Sequence, residues 1–550
     1  VEEYAPNVVI AQSCTREVAE TDGTARTVRG AARFRWGATG VTSLTLPHAA
    51  RLSADDGSLS VALTSLSFLV VGAVTGVAFH AGLYLDVVPG VVAFWLLTIV
   101  AIRSSRLSRL SLLPRFLILI YAFPFSALLG YLLSPDFVWV YSPHGFDIMQ
   151  DKLVVRQMIA IGTVGLCGLA AGIHAARFKP VPTGARETPQ PSAKTSLGLL
   201  AFLLLVAVAV TLSGIAAPAE TILEKMYMID QSATAASQIN FAAASLVSYI
   251  LVVTLAIDVE REGSVHARRT KLFALGLGTA YIVIVFQVLR GDRESSGLIV
   301  ALSSLYLTSP LPSASPRFVA SAIRKRILSL VAPLLLVVIV FVTLGAARYM
   351  IVASAGTLST LTLIQLGLAE NTWTAVLWTN LSAAWEFRHG VLNYKLGETY
   401  LHYLLSLPPG IVTSALGISR PLESWQGIAH ENPAGISAGG LHVVIAPFKN
   451  FGMAGALLIL FLYGWIAGRL EILNIRPSLM TRLLWASVLC GGFFWFWYGD
   501  MVFIRAIMAA LAFYWVYRLA LSLDWVTSRV PATIQRADVI ASRHLSREHG

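Results

Sequence analysis

An all-α, polytopic membrane fold, with about twelve transmembrane helices and one large amphipathic external loop, follows from three features of this sequence. Hydrophobic residues make up 56% of its 550 positions and charged residues only 13%, and the mean hydropathy is +0.69, far outside the range of soluble domains. Apolar runs near the ~20 residues that a bilayer requires recur along the chain without a large polar module between them. Basic residues collect in every second connection between those runs, which is the positive-inside pattern. The net charge of +11 therefore reports orientation and implies no nucleic-acid partner.

The runs come in order. Residues 1–57 lack sustained apolar periodicity and are expected to form a disordered cytoplasmic tail. Nine spans are predicted within 58–346, at 59–80, 86–102, 116–133, 157–176, 196–216, 240–258, 272–289, 297–311 and 327–346, and three more at 451–468, 483–499 and 503–522. Residues 523–550 form a second cytoplasmic tail. The run 297–311 is short and reads as tilted or re-entrant. The basic connections hold Arg103, Arg106, Arg109 and Arg115, then Arg177, Lys179, Arg186 and Lys194, then Arg261, Arg268, Arg269 and Lys271. Arg317, Arg324, Lys325 and Arg326 follow, and then Arg469, Arg476 and Arg482. These connections are assigned to the cytoplasm, and the intervening ones, with Asp136, Asp147, Asp151, Glu220, Glu224 and Asp230, to the outside.

One external connection is long. Residues 347–450 mix Trp373, Trp378, Trp385, Tyr394, Tyr400 and Tyr403 with Leu and Ala, a pattern suited to helices lying along the outer membrane face; an additional spanning hairpin is the competing reading. Cys14, Cys167 and Cys490 have neither disulfide-framework nor zinc spacing. No P-loop, dinucleotide fingerprint, HExxH or paired-carboxylate motif is present, so no cofactor is expected.

Two external groups break the charge pattern. Arg290, Asp292, Arg293 and Glu294 crowd the end of the seventh run, where an idle charge near hydrocarbon costs about 2.5–3.5 kcal/mol. Arg290 and Glu294 can pair at i, i+4 as a plain helix-end ion pair; Arg290 and Arg293 can instead fork around a phosphate or pyrophosphate. The second group closes the long loop: Arg420, His430, Glu431, the Gly439-Gly440 pair, His442 and Lys449. Glycines admit close backbone approach and His moves protons near neutral pH, although a His beside a helix is more often simply packed. Arg348, Asp500 and Arg505 are further outward-facing candidates, with an Asp500–Arg505 pair as the plain reading of the last two. Arg388 and His389 read equally as solvated surface.

The stretch Gly439-Gly440-Leu441-His442 through Lys449-Asn450-Phe451-Gly452-Met453-Ala454-Gly455 resembles the loop-to-helix signature of the Wzy-type polymerases of oligosaccharide repeat units, relatives of the O-antigen ligases. The segment Arg290-Gly291-Asp292-Arg293-Glu294-Ser295 is similar to the Arg-bearing external turn of the same family. An Arg-x10-Gly pattern of some members is not reproduced after Arg420. The resemblance implies a GT-C-like helical fold in a bacterial inner membrane, with the active site facing the periplasm. It implies transfer of a polyprenyl-pyrophosphate-linked glycan onto another lipid-linked repeat unit, independent of metal and nucleotide. Under it His442, Arg290 and Arg293 are catalytic, and Arg348, Arg420, Glu431, Lys449 and Arg505 bind substrate. Its implied partners are the lipid-linked donor and acceptor, the bilayer, a chain-length regulator and a flippase. A ligase passing finished glycan to a lipid or protein acceptor, and a transporter or flippase of lipid-linked oligosaccharide, are the alternatives.

Overall fold

The computed structural model describes residues 54–107, 110–126, 128, 151–178, 248–260, 265–284, 294–309, 321, 324–330, 374–406, 441–475, 478–493, 499–515 and 518. Predicted spans 196–216 and 327–346 lie almost wholly outside them. The described residues are helical, with no strand among them. In chain order the longer helices are α1 (Ala54–His80), α2 (Val87–Ser104), α3 (Leu112–Ala122), α4 (Lys152–Ala175), α5 (248–260), α6 (Val265–Ile282) and α7 (Glu294–Thr308). After these come α8 (Thr374–Arg388), α9 (Glu398–Ser406), α10 (Ile445–Leu473), α11 (Leu479–Gly492) and α12 (Met501–Trp515).

Among the described residues four segments are long and apolar enough to cross a membrane: Ser60–His80, Val87–Ser104, Lys152–Phe178 and Ile445–Leu473. Their burial differs sharply. The apolar window of Lys152–Phe178 is 89% buried, whereas that of Ser60–His80 is 22% buried, with Val70, Val74 and Val77 exposed. A helix that is apolar all round and covered by protein on one side only presents the other side to lipid. The described chain is thus an all-helical membrane protein with α4 at its centre.

Caps set the helix starts. Asp86 accepts a hydrogen bond from Val87 N at 3.0 Å, and Asp151 accepts from Leu153 N at 2.9 Å and Val154 N at 3.4 Å, each satisfying donors that a first helical turn leaves open. Helix α4 consequently begins at Lys152, five residues before its apolar run, and its polar first turns find partners: Arg156 donates from Nε to Asp86 at 3.0 Å and Gln157 to the Tyr84 hydroxyl at 3.1 Å.

The tightest contact in the core is α4 against α10. A methyl group on Gly168 would overlap the Leu457 carbonyl, one on Gly172 the Phe461 carbonyl, and one on Gly464 the Leu169 carbonyl. The two backbones touch directly, as small residues allow between membrane helices.

Polar contacts sort the helix ends into two groups. At one end Arg177 donates to the carbonyls of Ser104 and Arg106, Arg469 donates to Ala176 O, and Glu471 accepts from Leu113 N and from Trp485 Nε1 at 2.8 Å. Arg482 forks onto Glu260 there, at 2.8 and 3.2 Å, and also reaches Asn474 Oδ1 and Leu305 O. Phe79, Tyr84, Asp86 and Arg156 belong to the other end, where Phe79 packs on Phe387 of α8 and Phe448 of α10.

Candidate functional site

The site is built on a break in α10. Phe451 (φ −135°, ψ 16°) and Gly452 (φ 62°, ψ −149°) leave helical geometry, and Gly452 occupies a region open essentially to glycine alone. The bend is sharp. Val444 packs against Gly165 and Leu457 against Gly168, so residues 13 apart in the 444–457 segment meet α4 positions only one turn apart, which a straight helix rising 1.5 Å per residue cannot do. Residues 445–450 therefore form a short helix folded back on the long one. Gly455 is needed at this elbow, because a methyl group there would strike the Pro447 carbonyl.

The short helix ends in open carbonyls, and the turn before α9 closes them. Lys395 N donates to Lys449 O at 3.0 Å and Leu396 N to Asn450 O at 3.2 Å, while Gly397 N (φ 98° at that residue) donates to Asn450 Oδ1 at 2.8 Å. Asn450 also donates from Nδ2 to Ala446 O at 2.7 Å. One asparagine thus joins the elbow to the loop helices.

Three buried polar groupings surround the elbow. His442 is 0% exposed; its Nε2 faces the Tyr121 carbonyl at 3.0 Å, which fixes that nitrogen as the donor, and its ring lies 4.9 Å from the Tyr121 ring and 5.6 Å from that of Phe125. Burial, opposed by the bond to Tyr121, lowers its pKa to about 4, so the imidazole is neutral at pH 7. Lys449 Nζ pairs with Glu386 Oε1 at 2.9 Å, both side chains 5% exposed, and Ser382 Oγ donates to the same oxygen at 3.1 Å. Asp500, also 0% exposed, accepts from the Tyr403 hydroxyl of α9 on Oδ1 and from the Tyr463 hydroxyl of α10 on Oδ2, each at 3.0 Å.

The chain just before Asp500 packs on the chain just before His442. Gly499 (φ 70°) packs on Leu441 so closely that a Cβ would lie 2.9 Å from its side chain. Burial pushes the Asp500 carboxyl up to about 6, against the lowering effect of the tyrosine hydroxyls. The same burial, followed by the charge on Asp500, raises the phenols of Tyr400 and Tyr403. Tyr400 packs edge-on against Tyr403 at 5.5 Å and stacks on Phe451 at 6.2 Å. On α8, Asn380 is 1% exposed with neither amide atom hydrogen-bonded, which leaves open hydrogen-bonding capacity in the interior.

Of the residues singled out in the sequence, His442 and Lys449 sit at this elbow, and Arg505 is an exposed residue of α12. Arg290, Arg293, Arg348, Arg420 and Glu431 lie outside the described residues. Lys449 is engaged by Glu386, and the two oxygens of Asp500 are taken by tyrosines. Glu386, Ser382, Tyr403 and Tyr463 were not legible as site residues. The one available signal was a tyrosine within the apolar run 451–468, at 463.

The fold and this buried polar elbow define an integral-membrane helical protein. No known protein family matches the chain, and neither a curated protein nor a solved structure is significantly similar to it.

Proposed function

We propose that the chain is a membrane glycan polymerase of the Wzy type. It would transfer a polyprenyl-pyrophosphate-linked glycan onto another lipid-linked repeat unit at the outer face of a bacterial inner membrane, within a bundle of about twelve spans. The observation that carries this reading is the elbow. The Asn450-Phe451-Gly452-x-x-Gly455 segment, which resembles the signature of that family, uses each of its named glycines for a backbone approach or angle that a side chain forbids, and it follows directly on Lys449, held by Glu386 of α8, and on His442, held by Tyr121. The elbow lies at the helix ends opposite those of Arg177, Arg469 and Arg482, which fits an external site under the positive-inside pattern.

In this reaction an acceptor hydroxyl oxygen bonds to the donor's anomeric carbon as the bond from that carbon to the lipid pyrophosphate breaks. The hydroxyl proton passes to a base, and the lipid pyrophosphate leaves as an anion. The proposal gives the base to His442, whose neutral imidazole is in the form that accepts a proton, and the pyrophosphate to Arg290 and Arg293. Arg348, Arg420, Glu431 and Arg505 are proposed to bind substrate, with Lys449 acting through its pair with Glu386.

A second reading, a transporter of lipid-linked oligosaccharide, is favoured by the broken α10 and the buried Asp500, since discontinuous helices and buried ionisable groups recur in transporters. The glycan profile of strains separates the readings. Arg290→Ala, Arg293→Ala or His442→Ala at normal protein levels should leave single repeat units on the carrier at the outer face, and purified protein should extend repeats in EDTA without nucleotide sugars. Long chains stranded on the carrier would indicate a ligase, and single repeats trapped on the cytoplasmic face a flippase. Unchanged chain lengths would overturn the site.

A further inference from the structure

Helix α9 is pinned to the rest of the fold in an unequal way. Leu401, Leu404 and Leu405 are exposed, whereas Thr399 and Tyr403 are 0% exposed, so only a narrow face of its nine residues is held by protein. The deepest attachment on that face is polar: the Tyr403 hydroxyl on Asp500, whose other oxygen is held by Tyr463 of α10. We infer that Asp500 is a positioning residue whose protonation state sets how tightly α9 is seated on the α10 elbow. The inference goes beyond the proposed chemistry and stands without it.

The sign follows from linkage. In the seated state the carboxyl is enclosed by protein, and among the described residues the titratable and charged groups facing it are Tyr400 and Tyr403 from α9 and Tyr463 from α10, with Arg505 of α12 acting on Tyr403. Unseating α9 removes Tyr403 and lets water reach the carboxylate, returning it to the ordinary range near 3.8 from about 6. The seated state binds the proton more tightly, so acid tightens the seat. Between about pH 4 and 6 unseating releases a proton and becomes roughly tenfold easier per pH unit, on the order of a hundredfold in all, then levels off above that window. At neutral pH the seat is at its loosest, and α9 also closes the elbow through the turn at Lys395–Gly397. The site beneath α9 is thereby given a cover that protons hold shut.

Amide hydrogen exchange of the full chain in lipid nanodiscs, from pH 4 to 7.5 and corrected for intrinsic exchange, tests this directly. Protection of 398–406 should fall by on the order of a hundredfold between pH 4 and 6 and then level off, while α4 stays protected throughout. Asp500→Asn keeps an acceptor for one tyrosine and adds a donor for the other without titrating, so its protection should stay high and flat. Tyr463→Phe removes one donor to the carboxylate but leaves the α9 attachment, so the transition should move to higher pH. A flat wild-type profile, a pH dependence surviving in Asp500→Asn, or an unmoved midpoint in Tyr463→Phe would each overturn the inference. None of these outcomes depends on glycan transfer, so failure here and failure of the proposed reaction are separately visible.

Discussion

Removing Glu386 while leaving Lys449 in place should destabilise the protein far more than removing both. The two side chains are 5% exposed and 2.9 Å apart, and Ser382 donates to the same carboxylate oxygen. A buried ion stranded by loss of its partner costs about 3–5 kcal/mol. A ceiling exists because the stranded group can shed its charge: at pH 7, deprotonating an ordinary ammonium costs about 4.6 kcal/mol and protonating an ordinary carboxyl about 3.7 kcal/mol. Glu386→Leu should therefore lose about 3–4.5 kcal/mol, and Lys449→Met somewhat less, because Ser382 still serves the remaining carboxyl. The double variant Glu386→Leu, Lys449→Met, which strands nothing, should recover to within about 2 kcal/mol of the parent. Equilibrium unfolding in mixed micelles of rising SDS fraction reads all four corners of the cycle. A coupling below about 0.5 kcal/mol would show that the pair is not a buried unit.

Three further outcomes are expected. Gly452→Ala should cost about 1–3 kcal/mol, because φ of 62° with ψ of −149° suits only glycine and the new methyl would press on the Tyr394 hydroxyl; the same unfolding assay checks it. Gly172→Ala should sharply reduce the yield of folded protein by driving α4 off the Phe461 carbonyl, whereas Gly276→Ala, which meets nothing within 4 Å, should be neutral or stabilise by up to about 1 kcal/mol. For topology, an alkaline phosphatase fusion after Arg268 should be inactive and one near Glu398 active; the reverse pattern would invert the assignment of the two helix ends.

Periodicity and length made the long helices legible, and chemistry at their ends did not follow as easily. The runs 59–80 and 86–102 correspond to Ser60–His80 and Val87–Ser104, because a bilayer-spanning segment must be apolar throughout. The run 157–176 misses the start of α4 by five residues, since Asp151 caps a turn containing Lys152 and Arg156 that hydropathy alone rejects. The run 451–468 begins where the chain bends, so hydropathy places the short helix 445–450 in the loop. The glycine signature was visible, yet its meaning required coordinates: Gly452 supplies an angle and Gly455 a clearance. The partners of Lys449 and Asp500 lie 63 and 97 residues away, and no local pattern encodes such pairings. Asp500, read with Arg505 as neighbours one turn apart, instead has its carboxylate oxygens bonded to tyrosines of two other helices.

The seam between α4 and α10 has a consequence for how this protein can move. Where two helices meet through side chains, rotamers can adjust and the helices can slide by fractions of a turn. Here carbonyl oxygens rest in the hollows left by Gly168, Gly172 and Gly464, so there are no side chains to adjust, and a shift smaller than a full turn would set the same carbonyls against Cβ atoms. The pair behaves as a keel: rigid along its length, with a one-residue insertion in either helix expected to throw every later contact out of register. Larger motion must then arise in parts outside this seam, which places the freedom of the molecule in its loop helices.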